Sequence, residues 1–211
     1  MPHVNIASPM GAVSFDSTST DRFYENHAAD YASLTCAADL SASYAHFLPR
    51  LPAGGRILDV GCGAGRDLKA FARQGFRCTG IDASSALCVS ASNFAGVPCQ
   101  VSRIEDLDYQ AEFDGIWACA SLLHLPRALL PKALRRLHGA LIPHGFLYAS
   151  LQIGTGERVI PDGRAYSYYQ TGEFCEFLQS SGFNIEESWE SGDTLKRASI
   201  PMWLNVIARA N

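Results

Sequence analysis

Apolar and polar positions alternate in two ways between residues 57 and 151. Short, largely apolar runs, which predict buried strands, lie at 57–60, 78–81, 113–120 and 146–151, and 98–102 is expected to form a short third strand between the second and third of these. The longer segments between them place apolar residues at helical spacing, as Leu130, Leu134 and Leu137 do before the last of these strands. Repeated strand–helix units predict a parallel sheet that helices cover on both faces.

The last third of the chain follows another pattern. A helix near 171–180 leads through Gly182 to a strand at 183–188, and a second strand at 203–209 follows without an intervening helix. Two strands joined without a helix predict an antiparallel hairpin. We therefore expect an α/β fold with a Rossmann-like, doubly wound sheet of seven strands, mostly parallel, with a C-terminal antiparallel hairpin at the edge.

Three segments lie outside the repeated units. Residues 1–20 are rich in Ser, Thr and Pro and predict a flexible tail, whereas 21–211 is expected to form a single domain. Helical patterns begin at Asp21, and 21–50 is interpreted as an N-terminal helical lid. Residues 152–170 combine glycines with arginines and tyrosines beyond the fifth strand, which is typical of a substrate flap.

Composition and charge limit the function classes. The net charge of −4 supplies no general attraction to phosphate backbones, so a nucleic-acid partner is not expected. The seven cysteines are odd in number and lack C-x-x-C spacing, which favours reduced thiols over a disulfide framework or a metal site. No apolar run reaches membrane-spanning length, and the N-terminus lacks a signal-peptide pattern. We expect a cytoplasmic monomer or homodimer without a membrane partner.

The segment ILDVGCGAGRD, Ile57–Asp67, joins the first strand to the next helix through a turn with glycines at 61, 63 and 65. Glycine permits positive φ and the close approach of a ligand, and the following helix offers unpaired N–H groups at its positive end. The turn therefore predicts a site for a nucleotide-like cofactor. A tight strand-to-helix turn that binds nothing is the alternative.

Three charged residues bear on which cofactor this turn would hold. A dinucleotide fingerprint, G-x-G-x-x-G, needs its third glycine where this chain has Arg66. Asp59, at the end of the strand, would repel a pyrophosphate but suits a cation, and S-adenosylmethionine is such a cation. Asp82 ends the second strand at a spacing that places a carboxylate beside a ribose, which agrees with either cofactor. We therefore favour S-adenosylmethionine over a nicotinamide dinucleotide.

Three segments resemble, in the same order, motifs of the class I S-adenosylmethionine-dependent methyltransferases. They are ILDVGCGAGRD at 57–67, GID at 80–82 and FDGIWACASLLHL at 113–125, and the resemblance covers residues 20–211. Within that superfamily, YENHAADYA, WACASLLHLP and WLNVIAR are similar to small bacterial methyltransferases of the tellurite-resistance type. The resemblance implies S-adenosylmethionine as cofactor, S-adenosylhomocysteine as product, and a small-molecule methyl acceptor as partner.

The resemblance also implies roles for individual residues. Asp59 would receive the amino group of the cofactor directly or through water, and Asp82 would accept hydrogen bonds from both ribose hydroxyls. Arg103 stands where family members usually carry an acid for the adenine amino group, which leaves Glu105 as a candidate acceptor. The predicted cofactor-binding residues are Tyr24, Tyr31, Asp59, Gly61, Cys62, Gly63, Asp82, Ala83, Ile104, Glu105, Ala118, Cys119 and Leu123.

Methyl transfer is an in-line displacement at an activated carbon, so a base is needed only where the acceptor must lose a proton. His124, just after the fourth strand, is the predicted general base, and the alternative is that it packs the turn before Pro126. Tyr24 and Tyr31 either cover the cofactor from the N-terminal helix or only pack that helix.

Arg158, Arg164 and Tyr166, within the predicted flap, are the candidate residues for binding the acceptor. Arginines suit a carboxylate or an oxyanion such as tellurite, and ordinary surface charge is the alternative. The acceptor atom, O, N or S, stays open. Two other functions also stay open: a module that binds S-adenosylmethionine without catalysis and, less favoured, a nicotinamide-dependent oxidoreductase.

Overall fold

A computed structural model describes residue 15, residues 17–197 and residues 202–211. Its nine strands are β1 Arg56–Val60, β2 Arg77–Asp82, β3 Cys99–Val101, β4 Phe113–Cys119, β5 Leu141–Gln152, β6 Glu157–Val159, β7 Ala165–Ser167, β8 Phe183–Ser191 and β9 Trp203–Ala210. Seven of them form one sheet in the order β3-β2-β1-β4-β5-β9-β8. The first five strands are parallel, and β9 is antiparallel to both β5 and β8. The predicted fold class is confirmed.

The helices within these ranges are α1 Ser17–Asn26, α2 Ala28–Thr35, α3 Ser41–Phe47, α4 Arg66–Arg73, α5 Ser85–Ala95, α6 Leu130–Ala140 and α7 Thr171–Ser180. Helix α1 begins at Ser17 rather than at Asp21, so Asp21 lies within the helix, where it pairs with Arg103. Residues 17–20 of the predicted tail are therefore helical. The rest of that tail, 1–14 and 16, lies outside the described residues.

The central strands of the main sheet are buried on both faces, and their consecutive residues point to opposite faces. Leu58 of β1 and Ile116 of β4 join the larger apolar cluster, which α6 and α7 cover. Their neighbours Ile57 and Trp117 join a second cluster on the other face. Burial on both sides explains why these strands read as nearly continuous apolar runs.

The segment 152–170 carries secondary structure of its own. Strands β6 and β7 form a separate two-stranded antiparallel sheet, with Arg158 opposite Tyr166. Residues 165–167 are buried, so this β6–β7 hairpin packs against the domain. Among the described helices, none is long and apolar enough to cross a membrane.

Candidate active site

Gly61 is required by the path of the chain at the end of β1. Its φ is +68°, and a Cβ here would lie 2.5 Å from Cβ of Ser121. The N–H groups of Gly61 and Cys62 both donate to the carbonyl oxygen of Ile81, at 2.8 and 2.9 Å, which fixes the turn to β2. Because Gly61 and Gly63 carry no side chain, main chain forms part of the wall of a cavity that opens here.

Asp82 is held by main-chain donors at the end of β2. Its Oδ2 accepts from the N–H of Gly63 at 2.9 Å, and its Oδ1 accepts from the N–H of Ser84 at 2.9 Å. Burial raises the pKa of Asp82, and these backbone hydrogen bonds oppose the shift. The carboxylate is thereby fixed between the glycine turn and the start of α5.

These groups face a first cavity of about 690 Å³, a volume that includes its opening to solvent. Eight of the predicted cofactor-binding residues line it: Tyr24, Tyr31, Gly61, Gly63, Asp82, Ala83, Ile104 and Glu105. Five do not: Cys119 and Leu123 line a neighbouring cavity, and Asp59, Cys62 and Ala118 are buried and line neither. The sequence motifs thus converge on one place, although not every member reaches it.

Asp59 lies behind this cavity, two residues before Gly61. Its side chain is buried, and its Oδ2 has no hydrogen-bond partner among the described residues. Burial raises the pKa of Asp59 well above its usual range, and the nearby charge of Asp67 adds to the shift. Its unpartnered oxygen can accept a hydrogen bond from an ammonium group, which S-adenosylmethionine carries and a pyrophosphate does not, so Asp59 fits the former better.

Arg103 turns toward the N-terminal helix. Its guanidinium pairs with Asp21 and lies 3.7 Å from Oε1 of Glu105. Asp21 and Ser102 also line the first cavity, although neither is among the predicted site residues. No local signal could have found Asp21, because its partner is 82 positions away.

A second, larger cavity of about 1990 Å³, again including its opening to solvent, adjoins the first. Tyr24, Tyr31, Ala120 and His124 line both cavities and so form the boundary between them. Two of the predicted acceptor-binding residues, Arg164 and Tyr166, line the second cavity. The third, Arg158, is exposed and lines neither, with its guanidinium 5.6 Å from the ring of Tyr168.

His124 is oriented by two hydrogen bonds. Its Nδ1 lies 2.9 Å from the carbonyl oxygen of Ala165, which can only accept, so Nδ1 carries the proton. Nε2 is then the acceptor, and the hydroxyl of Tyr24 donates to it at 2.8 Å. Burial lowers the pKa of His124 to about 4. The imidazole is therefore neutral near pH 7 and presents its lone pair toward the boundary between the cavities.

Helix α1 and the β6–β7 hairpin are joined above this boundary. The N–H of Ala165 donates to Oγ1 of Thr20 at 2.8 Å, and the hydroxyl of Ser167 donates to the carbonyl oxygen of Leu125 at 2.7 Å. On its other side, α1 reaches α5, where Glu25 accepts hydrogen bonds from Ser84 and Ser85 at 2.6 Å each. Helix α1, which lines both cavities, is thus tied to the β6–β7 hairpin, which lines the second.

Part of the chain is similar in sequence to known methyltransferases. Residues 57–145 match the family model described as a methyltransferase domain. A ubiquinone biosynthesis O-methyltransferase from Xanthomonas axonopodis pv. citri is 29% identical over 159 residues, which make up 64% of this chain and 65% of that protein. The chain therefore spans less than two thirds of the length of this relative.

Solved structures share the fold over most of the chain. The 1,6-didemethyltoxoflavin-N1-methyltransferase of Burkholderia thailandensis, with 1,6-didemethyltoxoflavin and S-adenosylhomocysteine bound, is 24% identical, with a TM-score of 0.75 over 100% of this chain and 93% of that one. A [4+2]-cyclase is 21% identical, with a TM-score of 0.67 over 81% of this chain and 78% of that one. The resemblance to the class I methyltransferases is confirmed, whereas the finer similarity to the tellurite-resistance type stays a prediction.

Proposed function

We propose that the chain is an S-adenosylmethionine-dependent methyltransferase that acts on a small molecule by in-line displacement. The observation that carries the proposal is the pair of adjoining cavities, which share only Tyr24, Tyr31, Ala120 and His124 among the described lining residues. One cavity has the glycine turn and Asp82 expected for a nucleoside, and the other has room for an acceptor. A group transferred between them has to cross this short boundary.

Different residues of the first cavity would bind different parts of the cofactor. Asp82 would bind the ribose hydroxyls, the main chain at Gly61 and Gly63 would border the methionine part, and Ile104 and Ala83 would contact the adenine. When bound, S-adenosylmethionine supplies a methyl group already activated on a sulfonium. Catalysis by the protein then depends on alignment and on the exclusion of water.

His124 is the candidate group for removing a proton from an O–H or N–H acceptor. Its neutral Nε2 lies at the boundary of the cavities and is hydrogen-bonded to Tyr24, whose hydroxyl must turn away before Nε2 can meet an acceptor. Helix α1 and the β6–β7 hairpin, tied to each other at Thr20 and Ala165, would keep water from the transfer.

Two alternatives are weaker. A nicotinamide-dependent oxidoreductase would need a pyrophosphate beside the glycine turn, where Arg66 replaces a glycine and the Asp59 carboxyl is buried. A module that only binds S-adenosylmethionine would not require the second cavity. The fold alone does not decide the reaction, because a [4+2]-cyclase shares it.

Calorimetry with S-adenosylmethionine, S-adenosylhomocysteine and NAD tests the cofactor. We expect the first two to bind and NAD not to bind. Asp82→Ala should weaken S-adenosylhomocysteine binding by about tenfold or more, because a charge-assisted hydrogen bond to each ribose hydroxyl is lost. Asp108→Ala, at an exposed position that lines neither cavity, is the matched control. Unchanged affinity in Asp82→Ala would remove Asp82 from the site.

Release of S-adenosylhomocysteine, followed with a panel of phenols, nitrogen heterocycles and thiols, tests catalysis. We expect turnover with at least one acceptor class and none without an acceptor. A protein that binds the cofactor but turns over no member of the panel would support the non-catalytic alternative.

A further inference from the structure

Every arginine that lines the second cavity, among the residues described, already forms a doubly hydrogen-bonded ion pair with an aspartate close in sequence. The pairs are Arg66–Asp67 at 2.7 and 2.8 Å, Arg164–Asp162 at 2.7 and 3.1 Å, and Arg197–Asp193 at 2.7 and 2.9 Å. In each pair, the aspartate occupies the Nε–Nη2 edge of the guanidinium and offsets its charge. Each arginine of this wall is therefore already balanced by a carboxylate, which weakens its attraction for an anionic ligand.

The remaining charges of the second cavity do not favour an anion either. Asp30 also lines it and adds a negative charge to the three balanced pairs. His124 is neutral near pH 7, because burial lowers its pKa to about 4. An anionic acceptor would either share an arginine with its aspartate, against the repulsion of that carboxylate, or displace the aspartate and leave it without its partner.

Aromatic rings, in contrast, make up much of the cavity wall. The ring centroid of Tyr166 lies 4.7 Å from that of His124 and 6.2 Å from that of Tyr168. The guanidinium of Arg164 lies 4.4 Å from the ring of Phe23, so the paired cation covers an aromatic face. Tyr31 and Trp203 line the same cavity. Walls of this kind bury planar apolar surface and leave polar groups to the edges of the ligand.

A neutral polar group is available within this wall. Gln152, at the end of β5, is 4% exposed and lines the cavity. An amide can donate to a carbonyl or a ring nitrogen and accept from a hydroxyl, but it does not compensate a formal charge. It therefore suits the polar edge of an uncharged ring.

We propose that the methyl acceptor of this chain is an uncharged, planar aromatic or heteroaromatic molecule with a hydroxyl or ring-nitrogen nucleophile, rather than an oxyanion or a carboxylate. The inference rests on the proposed function, since it names the substrate class of the same second cavity. It follows from the paired arginines and the aromatic wall together.

Two probes that differ in one carboxylate test the proposal. Catechol and 3,4-dihydroxybenzoate are titrated by calorimetry into the full chain saturated with S-adenosylhomocysteine, and tellurite is titrated as a simple oxyanion. We expect catechol to bind about tenfold more tightly than 3,4-dihydroxybenzoate, and tellurite not to bind. Equal or tighter binding of either anion, or no binding of catechol, would overturn the proposal.

The variant Asp162→Asn tests the reason for the preference. Removing this carboxylate frees the edge of Arg164, so the affinity for 3,4-dihydroxybenzoate should rise about tenfold while that for catechol stays unchanged. Asp108→Asn, exposed and outside both cavities, is the matched control. Unchanged 3,4-dihydroxybenzoate affinity in Asp162→Asn would contradict the role given to the ion pairs.

The proposed function and the proposed substrate class are contradicted by different results. A protein that does not bind S-adenosylhomocysteine contradicts the proposed function. A protein that binds S-adenosylhomocysteine but prefers the anionic probes contradicts only the substrate class.

Discussion

At the scale of single residues, His124 owes its chemical state to its surroundings. The carbonyl oxygen of Ala165 fixes the proton on Nδ1, and burial disfavours a second proton on the ring. A base with a pKa of about 4 is weak, so His124 is suited to accept a proton late in the transfer rather than to ionise an acceptor beforehand. Such a base remains in its active form throughout the neutral pH range.

His124→Gln should lower turnover and leave the affinity for S-adenosylhomocysteine nearly unchanged. It should also alter the pH dependence of stability. Between the unfolded pKa of about 6.5 and the folded value of about 4, the unfolded chain binds a proton that the folded chain does not, so stability falls as the pH drops. From pH 7 to pH 4, the wild type should lose about 3 kcal/mol of unfolding free energy more than His124→Gln.

Urea unfolding over that pH range, together with calorimetry and turnover at pH 7, measures these effects. His144→Asn is the control, because His144 is exposed and its φ of +66° is one that asparagine tolerates. It should follow the wild-type profile. Parallel profiles for the wild type and His124→Gln would show that His124 titrates normally, and full turnover in His124→Gln would remove it from the mechanism.

Some site residues could be predicted from sequence and others could not, for a physical reason. Gly61 and Asp82 belong to short segments whose chemistry is local: a turn that needs positive φ and a carboxylate at a strand end. Arg103 with Asp21, and His124 with Ala165, depend on partners that only the tertiary fold brings together. The predicted role of Arg158 depended on the path of the hairpin, which the sequence leaves open.

At the scale of elements, Glu25 attaches α1 to the start of α5, beside the first cavity. Glu25 accepts from the hydroxyls of Ser84 and Ser85 and from the N–H of Ala86 at the N-terminus of α5, where the helix dipole favours a carboxylate. These hydrogen bonds lower the pKa of Glu25 to about 2. Glu25 does not line the cavity, yet it holds the helix that carries Tyr24.

Glu25→Gln should therefore weaken S-adenosylhomocysteine binding about three- to tenfold by loosening α1, without removing a ligand contact. The pKa of Glu25 is lowered in the folded state, so its contribution is present above about pH 4.5 and is lost as the pH falls toward 2. Amide hydrogen exchange of 17–26 should become faster in the variant.

Calorimetry and exchange of Glu176→Gln, at an exposed position of α7, provide the comparison. This control should behave as the wild type does. Wild-type exchange and affinity in Glu25→Gln would mean that α1 is held by its other contacts alone.

Strands and helices were predicted correctly where their apolar residues follow a single pattern. The central strands β1 and β4 are buried on both faces, and each was predicted at nearly the observed bounds from a largely apolar run. The β6–β7 hairpin has strands of three residues, too short for any periodic signal. The helical pattern at the N-terminus also gave no sign of the break at His27, whose φ of −120° separates α1 from α2.

At the scale of the whole molecule, a buried polar cluster joins the helices beside the second cavity to the centre of the sheet. Asp67 of α4 accepts two hydrogen bonds from Arg66, one from the hydroxyl of Tyr44 on α3 and one from Nε1 of Trp117 in β4. Burial disfavours the ionised carboxyl, but the charge and hydrogen bonds of Arg66, with those of Tyr44 and Trp117, lower its pKa. Because Arg66 also lines the second cavity, fold stability and the shape of the site depend on the same group.

Asp67→Asn should consequently reduce the unfolding free energy by about 3–5 kcal/mol, because the guanidinium of Arg66 stays buried without its counter-charge. Adding Arg66→Met should restore part of the loss, since it removes the unpaired charge, and the two effects should not be additive. Asp106→Asn provides the contrast: Asp106 and Lys132 form an exposed pair at 3.5 Å, so the change should cost less than about 1 kcal/mol. Urea unfolding measures all of them, and a loss in Asp67→Asn no larger than that in Asp106→Asn would show that the cluster does not stabilise the fold.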